Sequence, residues 1–101
     1  MVNIQVLYFQ GCPNHVPTVA LVREVVSELG LKADIEEIEV TSPEEAHRRR
    51  FLGSPTVHVN GIDIDPSAAT RTDYSVSCRM YHGAGAPPRD LLVTACRAAQ
   101  S

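Results

Sequence analysis

The chain reads as an α/β protein in which a mixed four-stranded sheet carries helices on both faces. Three observations predict this class. The apolar run Ile4-Gln5-Val6-Leu7-Tyr8-Phe9 is followed by a stretch with helical spacing and then by a second alternating run. Asn60-Gly61 separates two further strand-like runs. The resulting order, β-α-β-α-β-β-α, fills 101 residues with no repeat or linker, which makes residues 1–101 a single domain. Two strands joined by a helix lie parallel with a right-handed crossover, and the hairpin then adds two more strands.

Residues 3–9 form the first strand. The near-continuous apolar character of Val6 to Phe9 suits a central position covered on both faces, and Gly11 ends the run. From about Asn14, the residues Val16, Val19, Ala20, Arg23, Val26 and Leu29 recur at helical spacing up to Gly30. Pro17 fits only the first turn, where its missing N–H is harmless. Ala33 to Val40 alternates, but its register slips at Glu36-Glu37, which reads as a bulge. Ser42-Pro43-Glu44-Glu45 is a capping box for a short helix that runs to about Phe51 and stops at Gly53.

Thr56 to Val59 and Ile62 to Ile64 flank Asn60-Gly61, whose residue types supply the positive φ angles of a type I′ turn. His58 alternates with Val57 and Val59 and faces the other side of the sheet. Asp63 and Asp65 read as charges that guard an edge strand. Residues 65–86 show no period and read as irregular. Pro87-Pro88 opens a last helix whose stripe is Leu91, Leu92, Ala95, Cys96 and Ala99, so Cys96 is expected in the core.

Composition excludes several function classes. With 44% hydrophobic residues the chain can build one modest core, and without Trp the interior falls to aliphatic side chains. The formal charge of -3 argues against a nucleic-acid partner, since phosphate-tracking proteins carry a basic excess. Arg48 to Arg50 is a solvated helix face. Neither a signal peptide nor an apolar run of the ~20 residues a membrane span needs is visible, so a cytoplasmic protein without a membrane partner is expected. His47, His58 and His82 are scattered without ligand spacing, and no metal site is expected from them. Three cysteines, Cys12, Cys78 and Cys96, do not make a secreted disulfide framework.

The chemistry points to Gly11-Cys12-Pro13-Asn14-His15, placed where the first strand hands over to the first helix. Unpaired N–H groups and the helix dipole favour a thiolate there. A thiol of pKa ~8.5 is only about 3% ionised at pH 7, and lowering it to ~6.5 makes it about three-quarters ionised, a gain of ~2.7 kcal/mol. His15 has two readings: a cation or base beside Cys12, or a residue that lines the first turn and meets water.

Together, the strand–Cys–helix junction at Cys12, Ser54-Pro55-Thr56 ahead of the third strand, the hairpin and the closing helix resemble the thioredoxin-like family at its glutaredoxin-like size. The resemblance covers residues 1–65 and 87–101. The segments Phe51-Leu52-Gly53-Ser54-Pro55-Thr56 and Ser77-Cys78-Arg79 are also similar to small bacterial thioredoxin-like proteins, some with selenocysteine at the Cys12 position and some described as alkylmercury lyase-like. The resemblance implies a cis bond before Pro55 and a substrate groove shaped by Pro13, Ser54, Pro55 and Thr56. In that groove the Ser54 backbone would meet a disulfide-bearing or thiol substrate.

His15 stands where such proteins often carry a second cysteine. A mixed disulfide at Cys12 would then be resolved by Cys78, or by glutathione or another small thiol; no other cofactor is implied. Catalytic roles are thus expected for Cys12, His15 and Cys78. Two rival functions remain open. Paired Cys12 and Cys78 thiolates would suit mercury or copper, and the same fold without the chemistry would serve as an interaction module. Oligomeric state is not legible.

Overall fold

A computed structural model of the chain describes residues 1–81 and 83–100; His82, one of the scattered histidines, lies outside them. Strands β1 (Val2–Tyr8), β2 (Ala33–Glu39), β3 (Thr56–Val59) and β4 (Ile62–Asp63) form one sheet in the order β2-β1-β3-β4. β1 runs parallel to β2 and antiparallel to β3, and β3 pairs antiparallel with β4. β1 is therefore central, as its apolar run predicts. Helices α1 (His15–Glu28), α2 (Pro43–Arg48) and α3 (Arg89–Gln100) cover the sheet. The expected α/β class with a mixed four-stranded sheet is what the chain adopts.

Side-chain alternation divides the core. Val2, Ile4 and Val6 point to one face, where Val57, Val59 and the helices α1 and α3 meet them. Leu7 points to the other, with Val40, Ala46 of α2 and Phe51. The buried stripe of α1 is Thr18, Val19, Val22 and Val25. This differs from the expected stripe: Val16 is 71% exposed, and Ala20 and Arg23 also face water. Both flanks of α1 are apolar at its start, so spacing alone did not select the face. Cys96 lies in the core as expected.

No bulge interrupts β2. Its pairing with β1 runs one to one from Val2↔Ala33 to Tyr8↔Glu39. The apparent slip is a change of covered face. Ala33 and Ile35 pack under α1 and α3, whereas Ile38 packs with Leu7 and Phe51 on the opposite side. Between them Glu37 occupies the α1 face, where it meets a polar partner described below.

α2 begins as predicted, with Ser42 Oγ accepting from the Glu45 N–H at 3.2 Å. It ends at Arg48 rather than near Phe51 because Arg50 adopts φ 55°. The Phe51 N–H then reaches Ala46 O at 2.8 Å and the Arg50 N–H reaches His47 O at 3.3 Å, a Schellman closure built on arginine instead of glycine. In the hairpin, Asn60 and Gly61 take φ 52° and 81°, the two positive values a type I′ turn requires.

The segment between β4 and α3 is the largest departure from expectation. Asp65 caps a 3-10 turn over Pro66–Thr70, accepting from the Ser67 N–H at 3.0 Å. Residues 75–79 then run alongside residues 51–54. The Ser75 N–H donates to Phe51 O at 3.1 Å, the Ser54 N–H to Ser77 O at 2.7 Å, and the Arg79 N–H to Ser54 O at 3.0 Å. This strap is a parallel ladder that lacks only the length of a strand.

Candidate thiol site

Cys12 follows the C-terminal end of β1 and is half-buried. Its N–H donates to Phe9 O at 3.2 Å, and its carbonyl accepts from the His15 N–H at 3.3 Å. A tight turn thus carries Cys12 into α1, whose cap is Asn14. Pro13 is exposed beside it.

The His15 imidazole is turned to other partners. It stacks on Tyr8 with ring centroids 3.6 Å apart and planes 6° from parallel, and its Nε2 lies 2.7 Å from Glu37 Oε1. Among the described residues no hydrogen bond joins it to the Cys12 thiol, and with its side chain only 17% exposed the ring packs on its neighbours rather than meeting water. Tyr8 and Glu37 project from neighbouring strands onto the face that α1 covers. Packing between them therefore holds the first turn of α1 against the sheet.

Antiparallel pairing of Leu7 with Thr56 brings the start of β3 to the same end of the sheet. The Ser54–Pro55 peptide bond is cis. The Phe9 N–H points to Ser54 Oγ at 3.4 Å. Ser54 in turn pairs with Cys78 in an isolated parallel bridge. Paired residues project to the same side of a ladder, so Cys78 faces the side where Ser54 meets Phe9. A chain of contacts thus runs from Cys12 through Phe9 and Ser54 to Cys78. Cys78 is exposed, and both thiols are free.

A cavity of about 430 Å³ opens alongside, lined by Phe9, Gln10, Val40, Thr41, Val76 and Cys78 among others. It lies beyond the C-terminal ends of the parallel strands, where open α/β sheets place their ligands.

The structure differs from expectation at the Ser54 loop. Ser54 is 1% exposed, Pro55 is buried and Thr56 is fully buried. Both Ser54 backbone groups, expected to face a substrate, are bonded to the strap. Thr56 Oγ1 donates to Gly53 O at 2.5 Å and accepts from Arg79 Nη1 at 3.2 Å.

Arg79 and Tyr81, which sequence reasoning did not single out, anchor the strap. The Arg79 side chain is 2% exposed and forks onto Asp63 with contacts of 2.7 and 3.0 Å. Its guanidinium also stacks over the Tyr81 ring at 4.5 Å. The Tyr81 hydroxyl donates to Pro55 O at 2.5 Å, and burial pushes the phenol well above its ordinary pKa, with Arg79 opposing. Asp63 is therefore a strap anchor rather than an edge guard. Two carboxylates at alternate positions, Asp63 and Asp65, were the available signal, but nothing in the sequence says which arginine answers them.

In the same segment Arg71 and Asp73 pair with each other at 2.7 Å. Cys96 is 1% exposed within the core, and burial raises its thiol pKa. Among the described residues, no group of three or more His, Cys, Asp or Glu is arranged to hold a metal ion. No helix among them is long and apolar enough to cross a membrane.

The family model described as Thioredoxin domain matches residues 2–62, from β1 through the start of β4. No curated protein and no solved structure matches the chain.

Proposed function

The chain belongs to the thioredoxin-domain family, and from that premise we propose that it performs thiol–disulfide exchange through Cys12, with Cys78 as the resolving thiol. The observation that supports this reading is the Ser54–Cys78 bridge, which ties a free, exposed thiol to the loop before β3. It supplies from the strap what the Cys12-Pro13-Asn14-His15 turn lacks.

The Cys12 thiolate attacks one sulfur of a disulfide R–S–S–R′. That S–S bond breaks, R′–S⁻ leaves with the electron pair, and Cys12–S–S–R remains. The Cys78 thiolate then attacks the Cys12 sulfur and releases R–S⁻. Two protein thiols are thereby oxidised to one disulfide while R–S–S–R′ is reduced to two thiols. An external thiol such as glutathione restores the reduced protein, or resolves the mixed disulfide itself. His15 acts as a positioning residue, holding the turn that carries Cys12.

Mass spectrometry of the reduced chain treated with oxidised glutathione tests this reading. The expected result is an adduct lost in Cys12→Ser, kept in Cys96→Ser, and longer-lived in Cys78→Ser. An adduct that survives in Cys12→Ser would overturn the assignment of the nucleophile. Unchanged lifetime in Cys78→Ser would leave resolution to the external thiol.

A further inference from the structure

An extended polypeptide that docks beside a strand needs an unpaired backbone donor and acceptor to bond with. Near Cys12, β1 offers neither, because β2 and β3 pair with both its edges. At its last residue the Tyr8 carbonyl is taken by the Val40 N–H at 2.8 Å. The Ser54 N–H and C=O are the next groups in line, and the strap bonds both. The chain has thus laid its own peptide on this backbone, and Cys78 stands in that peptide directly opposite Ser54.

The strap is not a casually resting loop. The buried Arg79–Asp63 fork and the Tyr81 hydroxyl on Pro55 O hold it from two sides. Gly85 packs so closely on Asn14 that a Cβ there would lie 2.5 Å from its Nδ2, so the far end of the segment also abuts the Cys12 turn. What stays open beside the strap is the cavity of about 430 Å³, which Cys78 borders and whose lining does not include Cys12. That volume falls within the range of small-molecule sites, roughly 300–1,000 Å³. Gln10, Thr41 and Ser77 give it polar groups, Glu39 a carboxylate, and Phe9, Val40 and Val76 an apolar wall.

We infer that the strap sets substrate class: Cys12 and Cys78 exchange with low-molecular-weight disulfides and thiols, and extended polypeptide disulfides are shut out. The inference rests on the thiol-exchange reading above. It adds that Arg79 and Tyr81 determine specificity from outside the reacting atoms, by keeping the Ser54 backbone occupied. The exchange is the one already written, with R–S and R′–S halves small enough to reach the thiols without pairing to the Ser54 backbone.

The test compares the reduced full-length chain against oxidised glutathione and against disulfide-bonded insulin, at equal disulfide concentration. The rate of adduct formation on Cys12 is followed by mass. The expected glutathione rate exceeds the insulin rate roughly tenfold or more, equivalent to ~1.4 kcal/mol of barrier. In Tyr81→Phe and in Arg79→Gln the ratio of the two rates is expected to fall, through faster reaction with insulin. Equal rates in the unaltered chain would overturn the inference without recourse to any variant. So would an unchanged ratio in a variant whose circular dichroism matches the parent. Absence of a Cys12 adduct with both disulfides would instead overturn the thiol-exchange reading, and the inference with it.

Discussion

His58 shows how a single side chain records its surroundings. It lies on the sheet face beneath the strap, and burial holds its pKa below the ordinary 6.5 while Asp63 opposes and Arg79 and Arg50 assist. Its folded-state pKa lies below the unfolded value, so the unfolded chain takes up the proton first as pH falls. Stability from this group is therefore complete above about pH 6.5 and declines below it, until the folded-state pKa is passed. Glu45, held low first by the Thr41 hydroxyl, and Asp73, held low by Arg71, lose their contributions only in the more acidic carboxylate range. We expect the melting temperature to fall on acidification from about pH 7 to pH 5, and His58→Gln to flatten that slope. A slope unchanged by the substitution would mean that another group controls this range.

At the scale of elements, the 51–54 loop and the strap are fitted to each other at Gly53. This residue has φ 117°, and an added Cβ would lie 3.0 Å from Arg79 Cβ, 3.1 Å from Arg79 N and 3.1 Å from Ser77 O. Two of those atoms are backbone, so the strap itself must move. Gly53→Ala is expected to cost about 1–3 kcal/mol from the backbone conformation alone, read as a lower denaturation midpoint. An unaltered midpoint would mean that the strap yields freely.

How far these elements were legible follows from the range of the forces that make them. The Ser42 cap, the Asn60-Gly61 turn and the apolar run of β1 are local, and the sequence carries them openly. The site was half legible. Cys12 announces itself by its place after a strand, whereas Cys78 was only one of the resolving thiols left open, beside an external one. The strap was not legible, because Arg79, Asp63, Tyr81 and Pro55 meet only through tertiary pairing. The end of α2 was misread for a different reason: Arg50 takes the left-handed conformation that Gly53 was expected to supply.

For the molecule as a whole, the strap ties the region after β4 back to the loop before β3. A bond between Cys12 and Cys78 would enclose α1, β2, α2, the hairpin and the 3-10 turn within one covalent ring. Chain-entropy arguments put the stabilisation from so long a loop at ~4 kcal/mol, less any strain. We therefore expect the oxidised chain to melt higher than the reduced one, measured by calorimetry after removal of small thiols. In Cys78→Ser that difference should vanish. An oxidised chain that melts no higher would argue against an internal pairing of these thiols.

The aromatic contacts have a practical consequence for spectroscopy. The chain has no tryptophan and three tyrosines, and each ring sits in a different neighbourhood. Tyr8 lies face to face with His15 by the nucleophile's turn, Tyr74 meets His47 edge-on beside α2, and Tyr81 lies under the Arg79 guanidinium. Ring-labelled tyrosine would thus give three native resonances: one for the Cys12 turn, one for the second helix and one for the strap. Their independent broadening would time each region's motion in the unmodified protein.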